Sequence, residues 1–190
     1  LDALFSPRSI AVVGASDTPT RIGGVPVDLL KRMGWAGRIL PINPKASTVQ
    51  GLPAFASLRE VGEPIDLAVF AVPQSAIDAS LEDAAAAGVR AAVVFTAGFA
   101  EVGGDGLVAQ RRLTDRAREA GIRVVGPNCL GVMNCREHMY ATFSPAPGIG
   151  IARAGSVGMV SQSGAFGAYA YSLARDRGIG LSVWASTGNE

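Results

Sequence analysis

The residues whose types and spacing could do chemistry fall in short segments rich in glycine and hydroxyls. One is Gly14-Ala15-Ser16-Asp17-Thr18-Pro19-Thr20-Arg21-Ile22-Gly23-Gly24, which follows an apolar run and precedes a helical pattern. Backbone N–H groups at such a helix start can hold a phosphate, and Ser16, Thr18 and Arg21 add donors. The fingerprint G-x-G-x-x-G, begun at Gly14, would need glycines where the chain has Ser16 and Pro19. G-x-x-x-x-G-K-[ST] is not met either. Taken alone, the loop is either a structural turn or an anion cradle. A second segment is Asn43-Pro44-Lys45. A dinucleotide site places an acid at this point, to accept from ribose hydroxyls. A lysine there is either a solvated surface residue or the partner of a phosphate close to a ribose.

Val72-Pro73 and Thr96-Ala97-Gly98-Phe99 each follow another apolar run. Gly98 removes a side chain, so a ligand could approach the backbone; a plain glycine turn fits equally well. In Gly126-Pro127-Asn128-Cys129-Leu130-Gly131, Pro127 fixes φ and Asn128 can hydrogen-bond locally. No His or Asn/Asp dyad accompanies Cys129, so a small packed residue is the better reading than a nucleophile. Cys135 reads the same way. His138 is the lone histidine, which rules out a multi-His metal site and weakens every Ser-His-Asp arrangement. It sits in an irregular stretch and reads as a surface or interface group. Ser161-Gln162-Ser163-Gly164-Ala165 has the placement of a nucleophile elbow but not G-x-S-x-G. Its hydroxyls and helix-start N–H groups suit a phosphoryl group, and Ser163 as a simple helix N-cap is compatible with that.

The elements that must position these loops alternate. Short apolar runs at Ser9–Val13, Arg38–Asn43, Asp66–Ala71, Ala91–Phe95 and Ile122–Val125 read as strands. Pro41 argues for an outer position of the second. Helical patterns at Gly24–Met33, from Pro73 to Gly88 and at Leu107–Ala120 separate them, each stopped by a glycine. Alternating β and α elements with continuous apolar strands imply an α/β, Rossmann-like, doubly wound parallel sheet. In such sheets ligands bind outside the carboxyl ends of the strands, which is where the segments above lie. Residues 127–155 show little periodicity and read as a linker or crossing segment. A new βαβ pattern opens at Ser156–Val160, continues through a helix to about Arg177 and closes on Leu181–Trp184. The expected division is 1–127, then a 128–155 linker, then 156–190 as the start of a second α/β domain. Two strands and one helix cannot bury a core alone. The chain is therefore expected to be a fragment, with exposed apolar faces, an unpaired edge at Leu181–Trp184, and self-association or swapping through 156–190.

With 17 Lys+Arg against 16 Asp+Glu in 190 residues, there is no basic field for nucleic acid. Hydrophobic residues at 48% exclude disorder. No apolar run approaches the ~20 residues of a membrane span, and no signal peptide is evident. Two cysteines make no disulfide framework, so a reduced cytoplasmic setting is expected.

Together the segments resemble the α-type part of the succinyl-CoA synthetase superfamily, and within it the NDP-forming acyl-CoA synthetases (acetate–CoA ligase, ADP-forming). The matching pieces are Ala11–Ser16, Pro41–Lys45, Ala71–Pro73, Gly98-Phe99, Gly126–Gly131, Gly158–Ala165 and Ser186-Thr187-Gly188-Asn189-Glu190. The resemblance implies a CoA-binding domain followed by the start of a flavodoxin-like ligase domain. Coenzyme A would lie across the strand ends, along the first loop from Gly14 to Arg21 and Asn43. Ser16 and Lys45 would hold its phosphates, Val72-Pro73 would border the adenine, Gly98-Phe99 would flank the pantetheine, and Asn128 would sit near the thiol. Ser161, Ser163 and Gly164 would support a loop carrying a phosphorylated histidine. That histidine lies outside this chain and His138 does not match it, so the chain alone is expected to be inactive. ATP or ADP and Mg would be bound by an ATP-grasp (β-type) domain or subunit, and a homo-oligomer is expected. A different class would share this sequence: an acyl-CoA-sensing regulatory domain of a protein lysine acetyltransferase. A third reading, an NAD(P)-dependent Rossmann oxidoreductase, is opposed by Ser16 and Lys45.

Overall fold

A computed structural model describes residues 1–189; Glu190, the last residue of the matching Ser186–Glu190 segment, lies outside the described residues. The elements in chain order are α1 (Asp2–Phe5), β1 (Ser9–Val13), α2 (Val25–Arg32), β2 (Arg38–Ile42), β3 (Thr48–Val49), β4 (Leu52–Pro53), β5 (Leu67–Phe70), α3 (Ile77–Ala86), β6 (Ala91–Val94), α4 (Asp105–Glu119) and β7 (Arg123–Val125). There follow β8 (Gly131–Asn134), β9 (Met139–Thr142), α5 (Ala146–Ile149), β10 (Ala154–Ser161), α6 (Gly164–Asp176) and β11 (Leu181–Ser186).

Five parallel strands form the first sheet, in the order β2-β1-β5-β6-β7. Chain order therefore reverses between β1 and β5, the switch point at which open α/β sheets bind ligands. The strands are apolar on both faces because both are covered. Ala11, Val13 and Phe70 pack with Leu81 of α3 and Leu113 of α4. Ile10, Val12 and Val69 face the other way, onto Val27 and Leu30 of α2 and Val132 and Ala141 of β8 and β9. Each valine, leucine, isoleucine or phenylalanine among them contributes about 1.5–3 kcal/mol by leaving water. Pro41 lies on β2, an edge of this sheet, where a missing N–H is tolerated. Helices α2, α3, α4 and α6 are followed by Gly34, Gly88, Gly121 and Gly178, all at positive φ.

The 128–155 segment differs from the expected linker. It contains the antiparallel pair β8–β9, and β8 pairs in turn with β11, giving a mixed sheet of order β10-β11-β8-β9. Period-two alternation is present. Val132, Met139 and Ala141 face the first sheet, whereas Met133, Cys135 and Tyr140 pack with Tyr171 and Trp184. The hairpin is thus a shared layer between the two sheets. Pairing with β8 also fills the edge of Leu181–Trp184 that was expected to be free, and the edge strands of this sheet are β10 and β9 instead.

Candidate functional site

The loops that carry the chemistry-bearing residues are stitched together in the order of the strands that present them. After β1 the chain turns at Gly14, whose φ is 83° and where a Cβ would lie 2.5 Å from the Ala71 carbonyl oxygen. Only glycine lets the β1 and β5 exits approach this closely. The loop closes on itself. The Ser16 N–H donates to the Gly23 carbonyl at 3.3 Å, the Arg21 N–H to Thr18 at 3.1 Å, and the Ser16 hydroxyl accepts from the Thr18 N–H at 3.2 Å. Asn43, at the end of β2, donates from Nδ2 to the Ala15 carbonyl at 2.9 Å and accepts the Lys45 N–H on Oδ1 at 2.9 Å. Its amide is occupied in joining two loops. Thr18, Arg21 and Lys45 are exposed at the rim, and neither cation forms an ion pair among the described residues.

The ledge continues across the sheet. The Thr96 hydroxyl donates to the Val72 carbonyl at 2.7 Å, and the Asn128 N–H donates to the Thr96 carbonyl at 2.9 Å. Pro73 is exposed beside the half-buried Val72. The Phe99 ring is 2% exposed and packs in the core beneath α4, so this loop offers a ligand its backbone near Gly98 rather than that aromatic face. The sequence did not point to Glu101, which gathers the loop. Its carboxylate accepts from the Gly98 and Phe99 N–H groups and from Asn189 Nδ2. Partial burial pushes the Glu101 pKa up, but the hydrogen bonds from Asn189, Gly98 and Phe99 outweigh it and hold the carboxyl below its ordinary value.

At the far end the ledge meets the second sheet. Asn128 Nδ2 donates to Asn189 Oδ1 at 3.2 Å, and the Asn189 N–H donates to the Pro127 carbonyl at 2.9 Å. Gly188 passes so close that a Cβ would lie 2.1 Å from that same oxygen. Here Asn128, Leu130, Phe143, Ser163, Gly164 and Asn189 line a cavity of about 390 Å³. Ser163 caps α6, accepting from the Phe166 N–H at 3.2 Å, while the Ser161 hydroxyl donates to the Ser163 carbonyl at 2.8 Å. Asn128 and the α6 start therefore share one cavity. Cys129 also borders it but is 2% exposed, and burial pushes its thiol up to about 12, so it supplies no thiolate near neutral pH. His138 is exposed in the β8–β9 turn. A cleft of about 400 Å³ at the opposite end of the sheet, lined by Leu1, Arg90 and Arg123, lies away from this ledge. Among the described residues no group of three His, Cys, Asp or Glu side chains could hold a metal ion, and no helix is long and apolar enough to cross a membrane.

Residues 8–135 match the CoA binding domain family, and residues 154–190 match the succinyl-CoA ligase like flavodoxin domain. The α subunit of acetate–CoA ligase [ADP-forming] II from Pyrococcus furiosus is 38% identical over 189 residues, covering 100% of this chain and 40% of the relative. Acetate–CoA ligase [ADP-forming] from Methanocaldococcus jannaschii is 38% identical over 184 residues, covering 97% of this chain and 25% of the relative. The apo structure of the dinucleotide forming acetyl-coenzyme A synthetase 1 from Ca. Korarchaeum cryptofilum superposes with a TM-score of 0.93 at 38% identity, covering 100% of this chain and 40% of that one. This chain thus spans less than half the length of these relatives. With its ledge at the strand ends and its match over residues 8–135, the chain belongs to the CoA-binding domain family.

Proposed function

We propose that this chain is the CoA-binding portion of an NDP-forming acyl-CoA synthetase, which joins an acid, CoA and ATP into acyl-CoA, ADP and phosphate. The observation that carries the reading is the unbroken ledge from the Gly14 loop to Asn128, ending in the cavity that also holds the α6 start. Five strand ends about 4.8 Å apart give an extended ligand roughly 19 Å of edge. At one end Ser16 and Lys45 receive the phosphates, with Thr18 and Arg21 beside them. Val72 and Pro73 border the adenine, the Gly98 backbone flanks the pantetheine, and Asn128 stands where the thiol arrives. The reaction runs through an acyl phosphate and a phosphohistidine that lies outside this chain. Ser161, Ser163 and the Gly164 backbone steady the loop that presents it, the helix-start N–H groups facing phosphoryl charge. The nucleotide and Mg are held by an ATP-grasp part, and the enzyme works in the cytoplasm. The ligase relatives favour this reading over an acyl-CoA sensor and over an oxidoreductase, and the lysine at position 45 disfavours an NAD site.

Calorimetric titration of the chain with CoA, dephospho-CoA and NAD tests the proposal. Binding of CoA, weakened for dephospho-CoA, is the expected result. Binding of NAD without CoA would overturn it.

A further inference from the structure

The two-residue loop between β3 and β4 is occupied by Gln50 and Gly51, in the register Val49↔Leu52. Their φ values are 50° and 78°. Both are positive, as a type I′ hairpin turn requires, and Asn-Gly is the pair that adopts this most readily. Glutamine at the first position is therefore a poorer choice for the turn than asparagine, since it enters the left-handed region without asparagine's local hydrogen bonding. What the longer side chain gains is reach. Gln50 Nε2 donates to the Ser16 carbonyl at 3.0 Å and to the Gly24 carbonyl at 2.9 Å. The Gln50 N–H donates to Asp17 Oδ1 at 2.6 Å, and its carbonyl accepts from Lys31 Nζ. One residue thus grips both ends of the glycine-rich loop from a hairpin that is remote in sequence.

We infer that Gln50 is a positioning residue for the anion-binding loop at residues 14–24; this rests on the CoA-binding reading of that loop. The peptide plane supplies the mechanism. In a trans peptide the C=O and N–H point in opposite directions, so fixing the Ser16 carbonyl on Gln50 turns the Asp17 N–H away from the hairpin. That N–H has no acceptor among the described residues and is free for a ligand oxygen. The same residue removes a liability. Asp17 would place a carboxylate in a loop that receives phosphates, and the Gln50 N–H holds it toward the hairpin instead. Gln50 touches no ligand atom in this scheme. It acts by setting the direction of a donor and of an acid.

Gln50→Asn separates this role from a structural one. Asparagine suits the turn better but is one methylene too short to hold both carbonyls. The melting temperature should fall less than in Gln50→Ala, because the better turn residue offsets part of the lost hydrogen bonding, while CoA affinity of the full chain falls about tenfold, the loss of two ordinary hydrogen bonds' worth of ordering. Gln50→Ala should weaken CoA binding similarly with a lower melting temperature. The amide exchange rate of Asp17, measured without ligand, provides a second readout and should change in Gln50→Asn. CoA binding by Gln50→Asn equal to that of the parent would overturn the inference while leaving the CoA reading intact. If the parent does not bind CoA, the CoA reading fails, and an unchanged Asp17 exchange rate in Gln50→Asn would then refute the positioning role as well.

Discussion

At the scale of single residues, the ledge divides its polar groups between those occupied by the protein and those left at the rim. Asn43 spends its whole amide on Ala15 and Lys45, whereas the Lys45 ammonium is exposed with no ion pair among the described residues. A solvated ammonium gains little until a dianionic group docks against it, and its contribution is screened by salt. Lys45→Ala is accordingly expected to weaken CoA about five- to tenfold, in the range of one charge-assisted hydrogen bond discounted for exposure. Dephospho-CoA should bind parent and variant alike, because the group that Lys45 receives is missing from it. Equal losses for both ligands in paired calorimetric titrations would move Lys45 to a different phosphate. Types of residue made this rim legible in the sequence: a lysine in place of an acid after β2, and hydroxyls before a helix. Gln50 and Glu101 were not legible, since their partners are distant backbone groups that no local pattern announces. Phe99 was visible as a motif, but not the fact that its ring turns into the core.

At the scale of elements, strand ends are precise only if their loops are tied down, and each loop here is tied to its neighbour. The β6–α4 loop shows the energetics. Glu101 accepts three N–H donors, one of them from Asn189 beyond β11, so it joins the two sheets' loops as an ionised group. Its folded pKa lies below the ordinary 4.5 because the summed hydrogen bonds exceed the opposing effect of burial. A depressed carboxylate contributes at neutral pH and loses that contribution as pH falls through its folded value. The amide resonances of Gly98 and Phe99 should therefore titrate together with a midpoint below 4.5, and Glu101→Gln should abolish that titration. A midpoint above 4.5 would show that the latch is not charged as described. The five parallel strands and three main helices of the first sheet could be inferred from apolar runs and glycine stops. The β8–β9 hairpin could not, for a physical reason. Its turn, Cys135–His138, carries no Asn-Gly or Gly-Gly signal. Asn134 supplies the turn chemistry from within the strand, its Oδ1 accepting from the Arg136 N–H at 3.0 Å and the Glu137 N–H at 3.3 Å. His138 takes the left-handed conformation at φ 56°. Burial on both faces also erased the polar alternation that normally marks a hairpin.

At the scale of the whole molecule, the two sheets are unequally covered. The first is enclosed by helices on one face and by α2 and the shared hairpin on the other. The second ends at β10, which pairs only with β11 and whose sequence is interrupted by two register shifts. Val160 on this strand is 71% exposed, and Phe166 and Tyr169, three residues apart on one face of α6, are each 64% exposed. An edge strand beside exposed aromatic side chains is a template for another chain. The Arg136 guanidinium donates to the Gly155 carbonyl at the start of β10, but Ser156, Val157, Gly158, Met159 and Val160 beyond it are all uncharged. The chain by itself should therefore self-associate through β10, its sedimentation coefficient rising with concentration toward a dimer. Val160→Lys puts an ammonium on the exposed strand without altering a buried contact, the device that natural edge strands use against pairing. It should hold the chain at monomer mass over the same range. A parent that stays monomeric at the highest concentration, or a variant that associates as strongly as the parent, would place the association surface elsewhere and remove β10 from the argument.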